Sequence, residues 1–353
     1  MLPPPRIVRR LVLVPLLFVI ALAALVTLPL LALVAAVIAL LPVPGRRRPL
    51  RLVWFAVVWL SAEALTLAAA FGLWVASGFG GRLRTDPYQR RHYEIMRWFL
   101  DLLYRVATRV LGLRVEVDEP PLTSQEQAAR LARPVIVLSR HAGPGDSFLL
   151  VHQLLSQYRR QPRVVMKATL QLDPGLDVVG NRLPNAFVKP SRTGEGRFVA
   201  EIERLARGLD AAGALVIFPE GGNWSPRRWR RSIDRLERLG RRREAARARE
   251  MPHLLAPRPG GALAAIAACP TADVIFVAHA GLEDLITVGD IWRNLPMTRL
   301  VKAKWWRVPV DEVPRALDRD GQVGWLYDWW ERIDAWIEEN RPAAVRGELG
   351  ATT

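Results

Sequence analysis

The sequence predicts an α/β fold: a mixed, partly parallel sheet flanked by helices and preceded by N-terminal membrane helices. Three observations carry this reading. Two long runs almost free of charge fill the first 80 residues. Five short apolar runs follow, the pattern of strands buried on both faces. Segments of helical spacing alternate with those runs, which implies parallel pairing and functional loops at strand ends. With 353 residues, 50% of them hydrophobic and 13 of them Trp, the chain can fill a sizeable core, and disorder is excluded as its dominant state. Two modules are expected, an anchor over residues 1–80 and the α/β domain over residues 81–345.

From Leu11 to Leu41 no residue is charged, and Thr27 is the one polar side chain. Leu52 to Phe79 is a second apolar run, interrupted mainly by Ser61, Glu63 and Thr66. As helices these would measure about 46 and 42 Å, against a hydrocarbon core of about 30 Å. A cleaved signal peptide is the competing reading of the first run, because Arg6, Arg9 and Arg10 precede it. The run is far longer than the usual signal core of about 7–15 residues, and a second run follows. If each run crosses once, Arg46, Arg47, Arg48 and Arg51 face away from the cytoplasm, against the positive-inside tendency. Runs that fold back, at Pro29 and near Glu63, keep every arginine cluster on the cytoplasmic side and are favoured on that ground.

Leu83 to Gly112 has helical spacing, with Tyr93, Met96, Trp98, Leu100, Leu103 and Val106 interleaved with Arg. Strands are expected at Pro134–Leu138, Val164–Met166, Ala186–Val188, Gly213–Phe218 and Asp273–Ala278. Asp146 opens a helical pattern through Phe148, Leu149, Leu150, Leu154 and Leu155, and Glu195 to Leu209 reads as another helix. Near the C-terminus Trp325, Trp329 and Trp336 fall close to one helical face. Core packing is their ordinary role, and anchoring at head-group depth is the alternative.

The formal net charge is +16, and all but four of the 50 basic residues are Arg. Such a balance favours an anionic partner. The densest stretch, Arg227 to Glu250, holds 11 Arg among 24 residues. It reads either as a solvated helix laced with salt bridges or as a surface for lipid head groups or the phosphates of coenzyme A. No nucleic-acid motif accompanies it, and the apolar N-terminus argues against nucleic acid as a partner. Cys269, the single cysteine, sits in an apolar setting and cannot form an internal disulfide. The five His show no metal-ligand spacing, so no metal is expected.

Two motifs carry chemistry. His141 and Asp146 form an H-x4-D pair in a Gly/Pro turn between a strand end and a helix start. A histidine suits general-base work near neutral pH, and a carboxylate beside it can fix its tautomer. The bland alternative is a helix N-cap beside an ordinary loop histidine. Phe218, Pro219, Glu220 and Gly221 end the strongest strand in a turn that can present Glu220 into a cleft; a plain turn with a solvated Glu is the alternative. Composition predicts H-x4-D about 0.2 times and F-P-E-G about 0.003 times, so the second motif is the more specific.

In this order and about 75 residues apart, the two motifs resemble those of the membrane-bound glycerolipid acyltransferases of the 1-acylglycerol-3-phosphate acyltransferase type. The resemblance covers roughly residues 85–310. That family's middle block is matched in part, by Phe187 and Val188, with Pro190 where an Arg is usual. Lys189 or Arg192 would then take its phosphate contact. Gly222-Asn223 replaces the usual Thr-Arg after F-P-E-G, and the block ending in Arg258 is similar to one in the lysocardiolipin branch. The resemblance implies His141 as general base oriented by Asp146. It further implies substrate contacts from Phe187, Lys189, Arg192, Phe218, Pro219, Glu220, Gly221 and Arg258, with no bound cofactor. The co-substrate would be an acyl-CoA or acyl carrier protein thioester, and the acceptor lysophosphatidic acid or a related lysolipid in a phospholipid membrane. A bacterial inner membrane, with the catalytic domain on its cytoplasmic face, is the expected location. Another lysophospholipid or a glycolipid is the alternative acceptor, and a non-catalytic membrane-binding protein of the same fold is the alternative of another class.

Overall fold

The computed structural model describes residues 3–40, 45–119, 123, 132–188, 195–283 and 288–341. Along the chain come helices α1 (Arg6–Leu40), α2 (Arg48–Ala76) and α3 (Asp86–Val106). Strands β1 (Arg114–Asp118) and β2 (Val135–Ser139), helix α4 (Pro144–His152), and strands β3 (Gln161–Lys167) and β4 (Ala186–Val188) follow. Next are α5 (Glu195–Arg207), β5 (Gly213–Ile217), α6 (Pro226–Arg238), α7 (Arg242–Arg249) and α8 (Pro259–Ala268). The chain closes with β6 (Asp273–Ala280), α9 (Val288–Arg293), β7 (Leu300–Val308) and α10 (Arg319–Asn340). It divides into two compact units: Met1–Arg114, Val151–Gly194 and Trp292–Thr298 form one, and Val115–Leu150, Glu195–Ile291 and Arg299–Thr353 the other.

In the first unit α1 packs on α2, and both are long and apolar enough to cross a membrane. Neither run folds back: α1 continues through Pro29 and α2 through Glu63. Most apolar side chains of α1 are exposed, Val26 at 71%, whereas α2 has a buried face of Val57, Ala62, Glu63, Thr66, Leu67 and Ala70. Polar groups pin α2 along its length. Arg51 donates to the Val110 carbonyl, the Glu63 carboxylate accepts from the Gly175 amide, and Arg182 donates to the Ala70 carbonyl. Arg51 to Ala70 spans about 29 Å at 1.5 Å per residue, so one face of α2 meets protein over nearly a bilayer's thickness. At the start of α1, Arg9 and Arg10 both clasp the buried Asp177 carboxylate, at 2.5 and 3.0 Å. α3 ends in a wider turn, Ala107–Leu111, closed by Gly112 at φ +81°, a left-handed conformation that disfavours any side chain. β3 and β4 pair in parallel, Val165 opposite Ala186.

The second unit holds strands in the order β1-β7-β6-β2-β5. β2 runs parallel to both β5 and β6, and β7 runs antiparallel to β6, so the sheet is mixed as expected. Val135, Ile136, Val137 and Leu138 of β2 are almost wholly buried. Each contributes about 1.5–3 kcal/mol by leaving water. All five expected strands are present, and β1 and β7 are additional. Both carry charges throughout, Arg-Val-Glu-Val-Asp in β1 and Lys302, Lys304 and Arg307 in β7, and so lack the continuous apolar signature. α10 covers β6 with a buried face of Val323, Leu326, Tyr327, Trp330, Ile333, Trp336 and Ile337. Trp330, fully buried, lies at the centre of that face, with Trp325 and Trp329 at its shoulder against the Phe276 ring. The tryptophans of α10 are therefore packing residues.

Candidate active site

Register brings the site together. Leu138 of β2 lies opposite Ile217 of β5, so three residues further on His141 and Glu220 leave the sheet at the same level. Ser139 lies opposite Val277 of β6, so two residues further His141 is level with His279. Three adjacent parallel strands thus bring three titratable side chains together at their carboxyl end, His141 and Glu220 just past β2 and β5 and His279 in the last residues of β6, where open α/β sheets place their sites.

The Ala142-Gly143-Pro144-Gly145 turn leads straight into α4. Asp146, in the first turn of that helix, reaches back to accept from the amides of Ala142 at 2.6 Å and Gly143 at 3.0 Å. The same carboxylate faces His141 Nδ1, at 3.1 Å from each oxygen. Asp146 is thus the third residue of the helix rather than its N-cap, and its carboxylate reaches back both to the amides that precede the helix and to His141. Burial opposes its charge, but its contacts with His141 and His279 hold the carboxyl well below the usual carboxylate range. An ionised Asp146 calls for the Nδ1–H tautomer of His141, leaving Nε2 as the basic nitrogen. The imidazole is half-buried and tilts on the Phe218 ring, with centroids 4.5 Å apart.

Glu220 is 2% exposed, so it is not the solvated turn residue of the bland reading. One oxygen accepts from the His141 amide at 2.9 Å and the other from the Leu255 amide at 3.1 Å, tying together the loops that carry His141 and Arg258. Burial pushes its carboxyl up to about 8, against the Arg140 charge and these two amides. The Arg258 amide donates to the Pro219 carbonyl, and its guanidinium covers Gly221. Gly221 has φ +69°, and a Cβ there would come within 3.1 Å of the Arg258 guanidinium. His141, Asp146, Phe218, Pro219, Glu220, Gly221 and Arg258 therefore converge. Phe187 lies in β4 of the first unit, its ring against Gly180. Lys189 and Arg192 fall outside the described residues.

Three participants were not legible in the sequence. Arg140, 1% exposed, donates to the His279 carbonyl and to Glu283 at 2.6 Å, and Glu283 accepts from the Gly281 amide at 2.7 Å. His279 Nε2 lies 3.5 Å from Asp146 Oδ2. Arg140 sits beside the motif histidine, and His279 sits one residue past the expected end of the fifth strand, which were the only available signals. Among the described residues, no group of three or more His, Cys, Asp or Glu side chains could hold a metal ion.

Residues 121–280 match a family model described as acyltransferase, which takes in the H-x4-D and F-P-E-G segments and the strands that carry them. The match supports an acyltransferase activity. No curated protein matches the chain.

Proposed function

We propose that this protein moves a fatty acyl group from a thioester, acyl-CoA or acyl carrier protein, to the free hydroxyl of 1-acylglycerol-3-phosphate or a related lysolipid. The observation that carries the reading is the His141–Asp146 contact, with Nδ1 engaged and Nε2 left as the base. A lipid hydroxyl is a weak nucleophile until its proton is removed. Nε2 takes that proton as the hydroxyl oxygen attacks the thioester carbonyl carbon, and Asp146 stabilises the imidazolium that forms. When the C–S bond breaks, the imidazolium gives its proton to the departing sulfur, leaving ester and free thiol. No covalent acyl-enzyme is required. Glu220 serves the site by holding the His141 and Arg258 loops together, and Arg258 offers a cation at the F-P-E-G turn for an anionic substrate group.

The exposed apolar surface of α1 supports attachment to a phospholipid membrane, with the pinned face of α2 turned to protein. The test is an acceptor panel: full-length protein in vesicles, given acyl-CoA or acyl carrier protein thioester with lysophosphatidic acid, other lysophospholipids or glycolipids. Lysophosphatidic acid is expected to give the highest kcat/KM. A higher value for a glycolipid would reassign the acceptor, and no ester with any acceptor would reject the reading in favour of a non-catalytic membrane protein.

A further inference from the structure

His279 belongs to no motif, yet it lies level with His141 across the parallel β2–β6 register. Its side chain is buried at 7% exposure, and neither ring nitrogen makes a hydrogen bond among the described residues. A buried imidazole without partners is unfavourable unless a nearby charge compensates it. Asp146 Oδ2, 3.5 Å from Nε2, is that charge. The other charged groups around it are fixed as well. Arg140 donates to the backbone carbonyl of His279 and is paired with Glu283, whose carboxyl burial pushes up but the Arg140 charge pulls below its ordinary value. Asp146 thus faces two imidazoles, His141 through Nδ1 and His279 through Nε2.

We propose that His279 is a positioning residue for His141: through Asp146 it fixes the carboxylate's orientation and moderates the basicity that carboxylate confers. Charge drawn toward His279 Nε2–H is not available to the His141 imidazolium. The direction is the same whether His279 is neutral and donating or cationic. The catalytic consequence rests on the acyl-transfer reading; the pairing with Asp146 does not.

The test uses full-length protein in vesicles with His279→Leu, which removes the nitrogens, and His279→Gln, which returns an N–H near the Nε2 position. With His279→Leu, kcat is expected to fall at least fivefold with KM within twofold of wild type. The acidic limb of its pH–rate profile should move to higher pH. His279→Gln should restore both. Unchanged kcat and pH profile in a folded His279→Leu protein would overturn the proposal, as would a Gln variant behaving like the Leu variant. Histidine-selective NMR on the wild type reads the pairing without any activity and without the Leu variant having to fold. A protonated Nε2 on His279 that responds to Asp146→Asn is expected. An Nε2 without a proton across the pH range, or one indifferent to Asp146→Asn, would sink the proposal even if acyl transfer is observed. Absent acyl transfer with the NMR coupling intact would reject the functional reading alone.

Discussion

Asp146 concentrates several demands in one carboxylate. It accepts two backbone amides, faces two imidazoles, and takes a further bond from the Ser147 hydroxyl at 3.1 Å. Asp146→Asn places an amide N–H among these donors and no longer favours the reactive tautomer of His141. Acyl transfer should drop by about 10²–10⁴-fold while the sheet stays folded, as read by thiol release beside a melting curve. Glu220 makes a complementary prediction. A Gln there accepts on one oxygen and turns N–H against an amide donor, which costs about 1–3 kcal/mol. Glu220→Gln should therefore melt earlier at pH 5. A melting temperature equal to wild type would deny that Glu220 ties the two loops. At this scale the sequence was informative where a motif was compact: H-x4-D and F-P-E-G named residues that do converge. His279 and Arg140 were hidden because strand register, which no local pattern contains, decides what lies opposite His141.

The elements most visible in the sequence were those with one unmixed signal. β2, β5 and β6 are continuous apolar runs because both faces are buried, and α1 and α2 are long because nearly every residue is apolar. β1 and β7 were not legible, since their charged side chains break that pattern. Core packing, the ordinary role expected of Trp325, Trp329 and Trp336, is what α10 shows, with Leu326, Trp330 and Ile333 completing the buried face. The fold-back expected in the anchor rested on Pro29, Glu63 and the positive-inside tendency; in the fold Glu63 accepts from the Gly175 amide and Asp177 takes up Arg9 and Arg10. Asp177→Ala leaves Arg9 buried without its counter-charge. A loss of about 3–5 kcal/mol is expected, read as earlier melting and faster proteolysis of α1. In the basic segment, α6 buries Ile233 and Leu236 and exposes Arg227, Arg230 and Arg231, while Arg247 pairs with Asp328 and Glu331 of α10. The salt-bridge reading thus holds for part of the run and leaves a basic stripe on α6. Changing Arg227, Arg230 and Arg231 to Glu should cut the ratio of activity on anionic over zwitterionic vesicles by about a hundredfold, at about 1 kcal/mol per Arg. An unchanged ratio would make the stripe a solvated face.

For the whole molecule, the longest apolar runs and the densest run of Arg lie at different places, the first on α1 and α2 and the second on α6 and α7 of the second unit. Its buried acids also set how stability responds to pH. Burial raises Glu220 to about 8 and Asp334 to about 7, so their favourable protonated state is complete below about pH 4 and is lost as pH rises through 7 to 8. Asp146, held low, acts oppositely, and its contribution is lost as pH falls below the normal carboxylate range. Melting temperature in detergent should therefore decline from about pH 5 to pH 8, and Glu220→Gln should flatten that decline; a wild-type melting temperature that rises over this interval would contradict the assignment. That the strand-end pair His141–Asp146 performs acyl transfer is the proposal on which the predictions of activity depend. It is tested most directly by free thiol released from acyl-CoA in the presence of lysophosphatidic acid, comparing wild type with folded His141→Ala. Acceptor-dependent release by wild type and at least a hundredfold less by the variant are expected; equal release by both proteins would contradict a role for His141 as the base.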